Sequence, residues 1–328
     1  MFAPSEKRSY RILSLFSGCG GLDLGFEGDF DVHKSTVNTT INPDWNITEA
    51  KIDWVKLPKT RFTTVFANDI RYDAMTAWTN YFQKRGISKP TYHLKDIVDL
   101  VTAHKSGGNI FPSNIDVVTG GFPCQDFSVS GKRLGLTSDR GQLYIWMKEV
   151  ISIVKPKLFI AENVKGLVNL SDVKAIIEND FRSIGDDGYP VLEARVLHAA
   201  DYGIPQSRER VIFIGFNKSA LTKTALQELS KNSINPIYDP YPVQTHAYTS
   251  QRDDLLPPIN LSQIFSGLEE PDNSSDISQQ KYSKAKFMGK HCQGQTEIKL
   301  DDIGPTIRSE HHGNIEFRRL SQANGGKY

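Results

Sequence analysis

Nowhere in the 328 residues do about 18 apolar residues run together, so the sequence offers no membrane-spanning helix. The amino-terminal stretch MFAPSEKRSYRILSLF lacks both an apolar core of about 7–15 residues and a small-residue cleavage site, so no secretory signal is expected. Cysteine is scarce. Cys19, Cys124 and Cys292 cannot all pair and none falls in a CxxC spacing, which argues against a disulfide framework and against a zinc site. An excess of charge is missing too, with 39 Lys and Arg against 38 Asp and Glu. That balance disfavours a polybasic nucleic-acid coat, although it leaves room for a local basic cleft. What is present is core: 38% hydrophobic and 10% aromatic residues, too much for wholesale disorder and ample for one large domain or a large domain with a smaller companion. The expectation is a soluble, cytoplasmic globular protein.

The first two-thirds alternates short β-rich runs with helical stretches, which predicts an α/β fold with a parallel sheet. Strands are expected at residues 11–16, 63–67, 115–119, 158–161, 191–197 and 211–216. Helices are expected at 72–82 and 142–154, where Leu143, Trp146, Met147, Val150, Ile151 and Val154 recur at helical spacing and Pro156 ends the run. Residues 29–61 lack periodicity and read as an insertion. From about 217 prolines and polar residues multiply, which predicts a second, irregular domain over 217–328 with a mobile loop at 270–280.

Four segments carry chemistry. Phe16-Ser-Gly-Cys-Gly-Gly-Leu-Asp-Leu-Gly25 follows the first strand, where glycines let backbone amides approach a nucleotide-like cofactor. Asp69, ending the second strand, suits the two hydroxyls of a ribose; an adenosyl cofactor and NAD both fit at this point. Gly120-Gly-Phe-Pro-Cys-Gln-Asp-Phe-Ser128 puts Cys124 on a loop at the same sheet end, as a candidate nucleophile against the commoner fate of a small buried hydrophobe. Glu162, in Ala161-Glu-Asn-Val, falls at the same edge and suits proton donation to a ring nitrogen. Arg208 and Arg210, in Gln206-Ser-Arg-Glu-Arg210, share one face if extended, and guanidinium forks suit carbonyl or phosphate oxygens.

In this order the four segments resemble the DNA cytosine-5 methyltransferase family of restriction–modification systems, with its FxGxGG, GGPPCQ-type, ENV and QxRxR motifs. Lys95-Asp96-Ile97, Asp139-Arg-Gly-Gln-Leu-Tyr144 and Ala200-Asp-Tyr-Gly-Ile-Pro205 match intervening motifs, so the resemblance covers about residues 11–216. Phe122 stands where the family more often has proline. The tail after Arg318-Arg-Leu-Ser321 holds no Gly-Asn-x-Val segment of the kind that closes the family's methyl-donor pocket. The resemblance implies a Rossmann-like S-adenosylmethionine-dependent domain over 1–216 and a smaller irregular target-recognition domain over 217–328. It also raises the expectation that a second polypeptide supplies the closing segment.

What the resemblance implies for chemistry is specific. The substrate is a cytosine turned out of a duplex, because C5 and C6 cannot be reached in the stack. Cys124 adds to C6, Glu162 bonds N3 and the exocyclic amine, Arg210 contacts O2, and Arg208 supports the loop or a phosphate. Phe16, Gly18, Gly20, Gly21, Asp69, Asp96, Ile97 and Leu143 are the implied S-adenosylmethionine contacts, and no metal is required. For DNA, the basic loop with Ser128, Lys132 and Arg133 is expected to close on the duplex, and Arg308 to read a base edge. The neighbouring Lys284, Lys286 and Lys290 add charge, while the adjacent His311 and His312 lack a third metal ligand. Two alternatives stand beside this reading: a catalytically incomplete relic, and a tRNA cytosine-5 methyltransferase, which the 112 residues after Phe216 (328 − 216) disfavour.

Overall fold

The computed structural model describes residues 8–43, 45, 48–51, 53–85, 91–123, 143–169, 171–185, 188–250, 252–266, 269, 273–275, 277 and 299–307. In chain order the elements are β1 (Tyr10–Leu15), α1 (Gly21–Glu27), β2 (Asp31–His33), β3 (Thr48–Lys51), β4 (Trp54–Lys56), β5 (Phe62–Asp69), α2 (Tyr72–Gln83), β6 (Thr91–Leu94) and α3 (Ile97–Lys105). They continue with β7 (Val117–Gly120), α4 (Leu143–Val154), β8 (Leu158–Val164), α5 (Ser171–Arg182), β9 (Arg195–His198), β10 (Glu209–Phe216), α6 (Lys223–Leu229) and α7 (Leu261–Phe265). Among the described residues no helix is long and apolar enough to cross a membrane.

The chain divides into two compact units. The first, residues 1–30, 57–197 and 210–242, contains a seven-stranded sheet in the order β6-β5-β1-β7-β8-β10-β9. β6, β5, β1, β7 and β8 run parallel, and β10 pairs with β8 antiparallel. β1 is central, and its Ile12, Leu13, Ser14 and Leu15 are all buried, which is why it reads as a nearly unbroken apolar run. β8 is covered on both faces. Phe159 and Ala161 enter the main core with residues of α3, α4 and α5, while Leu158 and Ile160 pack with Ile214, Phe216, Tyr241 and Leu229 of α6. A third cluster joins Ala67 to Trp78 and Phe82 of α2, with Leu24 of α1 against it. The result is a doubly covered α/β layer structure of Rossmann type.

Local signals explain several boundaries. α3 begins where the Asp96 carboxylate accepts from the Val98 N–H at 2.8 Å. α4 ends where Lys155 turns left-handed at φ 47° and Pro156 follows. α3 and α5 were not foreseen from the sequence, and the strand expected over 191–197 is only Arg195–His198, with Val191 bridged singly to Gly215.

The second unit gathers residues 31–56, 198–209 and 243–328. This differs from the expected division at 216/217: residues 217–242 belong with the sheet, and most of the 29–61 insertion belongs with the second unit. That insertion is ordered around an antiparallel sheet, β2-β4-β3. Its anchors are polar. Buried Asn38 donates to the carbonyls of Thr245 and Asp254 at 3.0 and 3.1 Å, and a ring nitrogen of buried His246 bonds the Ser35 carbonyl at 2.9 Å. Asp201 is a hub, accepting from Gln244 Nε2, the Thr249 N–H and the Thr249 hydroxyl at 2.7–3.0 Å. The Asn38 and His246 bonds join residues 207–216 apart, so a reading of contiguous segments cannot find the unit.

Candidate active site

Among the described residues, Phe16, Gly18, Gly20, Gly21, Asp69 and Asp96 lie at or just beyond the carboxyl ends of β1, β5 and β6. In the sheet order, the chain departs from β1 in one direction through β5 and β6, and in the other through β7 and β8. Ligands of open α/β sheets bind at such a reversal, here between β1 and β7. The loop after β1 and the loop after β7 flank it, Leu15 pairing with Gly120.

The first loop alternates handedness. Phe16, Gly18 and Gly20 have φ of 51°, 53° and 90°, conformations that favour glycine, so Phe16 is held there against its preference. Hydrogen bonds hold it. The Ser17 N–H donates to the Asn68 carbonyl at 2.8 Å, the Asn68 N–H donates to the Ser17 hydroxyl at 3.1 Å, and the Gly20 N–H closes onto the Ser17 carbonyl at 2.9 Å. A β-carbon on Gly20 would lie 2.6 Å from Trp78 and from Phe82, so no larger residue fits. Gly21 meets nothing within 4 Å, which leaves open space above the start of α1.

Asp69, expected to receive ribose hydroxyls, accepts from the Gly18 N–H at 2.9 Å and from the Arg71 N–H at 3.0 Å. Each oxygen keeps a second lone pair, so ribose contact remains compatible with this loop-organising role. Beside it Ile70 and Tyr72 are each 69% exposed, an apolar surface suited to a heteroaromatic base. Asp96 spends one oxygen capping α3. Ile97 is buried in the core, so its side chain shapes the floor of the site and offers no surface to a ligand. Leu143 and Phe16 are partly buried against the same core.

Glu162 and Arg210 meet across β8 and β10, Oε1 to Nε at 2.8 Å, each about one-fifth exposed. The antiparallel register pairs Ile212 with Glu162 and Val164 with Arg210, which puts both side chains on one sheet face. Gly121 makes room for the carboxylate, since a β-carbon there would lie 3.2 Å from Glu162 Oε2. Arg208, expected on the same face, falls in the second unit, where its carbonyl accepts from the Ala199 N–H at 2.8 Å; of the two arginines, Arg210 is the one brought to Glu162. Cys124, Ser128, Lys132, Arg133 and Arg308 lie outside the described residues, as does most of 270–298.

Two contributors were not singled out from the sequence. Asn163, buried at 2% exposure, donates to the Phe122 carbonyl at 3.2 Å and so tethers the chain two residues before Cys124. Its only sequence signal is its place beside Glu162. Asp23, buried in α1, accepts from Trp78 Nε1 at 2.7 Å. Burial pushes its carboxyl up to about 6, opposed by the Ser14 hydroxyl and the Trp78 indole and reinforced by Glu27.

A glycine-shaped loop follows β1, a carboxylate ends β5, and a Glu–Arg pair joins β8 to β10 in the same sheet. The chain belongs to the C-5 cytosine-specific DNA methylase family, whose description matches residues 10–324. It is 36% identical over 265 residues to the type II methyltransferase M.BspRI of Lysinibacillus sphaericus, covering 79% of this chain and 52% of that one. It is 32% identical over 302 residues to M.BsuRI of Bacillus subtilis, covering 84% and 64%. Against M.NgoPII of Neisseria gonorrhoeae the identity is 27% over 328 residues, covering 96% and 80%. The chain spans about half the length of the first relatives it matches.

Proposed function

We propose that the chain transfers a methyl group from S-adenosylmethionine to C5 of a cytosine turned out of a specific duplex DNA sequence, as the modification arm of a restriction–modification system in the bacterial cytosol or nucleoid. The observation that carries this reading is the Glu162–Arg210 pair seated beside Gly121, three residues before the only cysteine of the second loop. Family membership and the type II methyltransferase names of the relatives support it. The comparisons give no support to the expected second polypeptide.

The residues of the first loop fit the cofactor. Gly18, Gly20 and Gly21 give it close backbone approach, Asp69 a hydroxyl acceptor, and Ile70 and Tyr72 an apolar surface, with Asp96 and Leu143 at the neighbouring helix starts. When bound, S-adenosylmethionine supplies a methyl group on a positive sulfur. The protein's own work is on the cytosine. The Cys124 thiolate forms a bond to C6, and the C5–C6 π electrons become available at C5. Glu162, held by Arg210, hydrogen-bonds N3 and the exocyclic amine and stabilises the charge that develops on the ring. Arg210 serves O2. Loss of the C5 proton then returns an electron pair to the ring, the C6–S bond breaks, and the thiolate leaves. Ser128, Lys132 and Arg133 would close on the DNA, Arg208 would support that closure, and Arg308 would read a base edge.

Duplex DNA of varied sequence containing 5-fluorocytosine tests the reading, because fluorine at C5 blocks the elimination. A denaturation-resistant protein–DNA adduct that needs S-adenosylmethionine and disappears in Cys124→Ser is expected. A folded chain that binds cofactor and DNA yet forms no adduct would overturn it, and an adduct with tRNA in place of DNA would redirect it.

A further inference from the structure

Gly18 is the pivot of the first loop, and it is held from both sides. Its N–H donates to Asp69 Oδ2 at 2.9 Å, and its carbonyl accepts from the Tyr92 hydroxyl at 3.0 Å. Sterics do not hold it, since a β-carbon there would meet nothing within 4 Å. Glycine visits both signs of φ at little cost, so a φ of +53° persists only where bonds impose it. Tyr92 stands on β6, an edge strand of the sheet, and its ring centre lies 5.4 Å from that of Trp78. Trp78 stacks on Phe82 at 4.4 Å, is bonded to Asp23, and carries Gly20. One aromatic shelf therefore supports two of the loop's glycines, by contact at Gly20 and by a hydroxyl at Gly18.

Resting on the reading that this loop holds S-adenosylmethionine, we infer that Tyr92 is a positioning residue for the cofactor, fixing the Gly18 carbonyl so that the loop is in its binding shape before the ligand arrives. Burial, with the carboxylates of Asp69 and Asp23 nearby, raises the pKa of the phenol, so it remains a donor across the working pH range. Without that bond Gly18 regains its alternatives, and the cofactor must order the loop as it binds. Nothing in the sequence pointed to this tyrosine, because the bond joins residues 74 apart.

Tyr92→Phe removes the hydroxyl and keeps the ring. The dissociation constants of S-adenosylmethionine and S-adenosylhomocysteine, measured by calorimetry on the full chain, are expected to rise together by about 3–10-fold. KM for the cofactor should rise with them, while kcat at saturating cofactor and the melting temperature hold near wild type. In the cofactor-free wild-type protein the Gly18 and Gly20 amides should be protected from hydrogen exchange, and Tyr92→Phe should release them. Tyr92→Leu, which also loses the ring, should weaken binding at least as much. Equal cofactor affinity in wild type and Tyr92→Phe overturns the inference, as do unprotected Gly18 and Gly20 amides in the wild type. A parallel fall in kcat and melting temperature overturns it by showing a merely structural role. Failure of the wild-type chain to bind S-adenosylmethionine would instead bring down the cofactor reading itself.

Discussion

At its amino end the central sheet is closed by a carboxylate with a full set of partners. Asp116, 3% exposed and just ahead of β7, accepts from the Arg11 N–H at 3.0 Å and pairs with Arg8 at 3.3 Å and Lys157 at 2.9 Å. At the carboxyl end β1 runs into the left-handed Phe16, Gly18 and Gly20, β5 runs into exposed Ile70 and Tyr72, and the Glu162–Arg210 pair is about one-fifth exposed. The amino end closes on this paired carboxylate, and the carboxyl end leaves the glycine loop and the Ile70–Tyr72 surface open. Groups buried with their partners contribute stability, and strained or incompletely paired groups persist where something else selects for them.

The contrast can be broken by mutation, starting where the effect should be largest. Glu162→Gln at the carboxyl end should lower kcat by about 100–1000-fold with little change in melting temperature, measured by methyl transfer and thermal unfolding. A stability loss without an activity loss would make Glu162 an ordinary strand-end residue. Asp23 should reveal itself in pH dependence. Its folded pKa of about 6 lies above the ordinary carboxylate value, so the stability from keeping it protonated is full below about pH 4 and lost as pH rises to 6. Asp23→Asn should therefore gain on wild type across that window by on the order of 2–3 kcal/mol and run parallel above it, read from unfolding midpoints against pH.

At the amino end the sign of the trade reverses. Asp116→Ala should cost about 1–3 kcal/mol of stability by stranding the part-buried Arg11 amide, while cofactor affinity of the folded protein is retained. Arg8→Ala should be the mildest, under about 1 kcal/mol, because Arg8 is half exposed and its ion pair is screened by water. Denaturant titration checks both. A loss of cofactor binding in Asp116→Ala would mean that the two ends are coupled and the comparison drawn too sharply.

The placement of the candidate loops is legible in the sequence because it follows short-range rules. A glycine run after an apolar strand marks a left-handed turn, and Phe16, Gly18, Gly20 and Asp69 stand at strand ends where such rules put them, while Glu162, expected just past its strand, lies within β8. What escaped notice was whatever needed a partner far along the chain: the Tyr92 hydroxyl on Gly18, the Asn163 amide on Phe122, and Trp78 against Gly20. Asp96 and Ile97 show the intermediate case. Their position was marked, but a helix cap and a core contact take up part of what was assigned to ligand binding.

The second unit is the least visible in composition, which changes near 217, whereas the unit draws on 31–56, 198–209 and residues from 243, joined by Asn38, Asp201 and His246. By itself the sequence determined the α/β alternation, the loops at the strand ends and the family, since periodicity, glycine and motif order are properties of neighbouring residues. Only the tertiary structure decided which arginine meets Glu162, what holds Gly18 and which segments form the second unit. Those are hydrogen bonds and packing contacts between residues distant in the chain, and their partners are chosen by the fold as a whole.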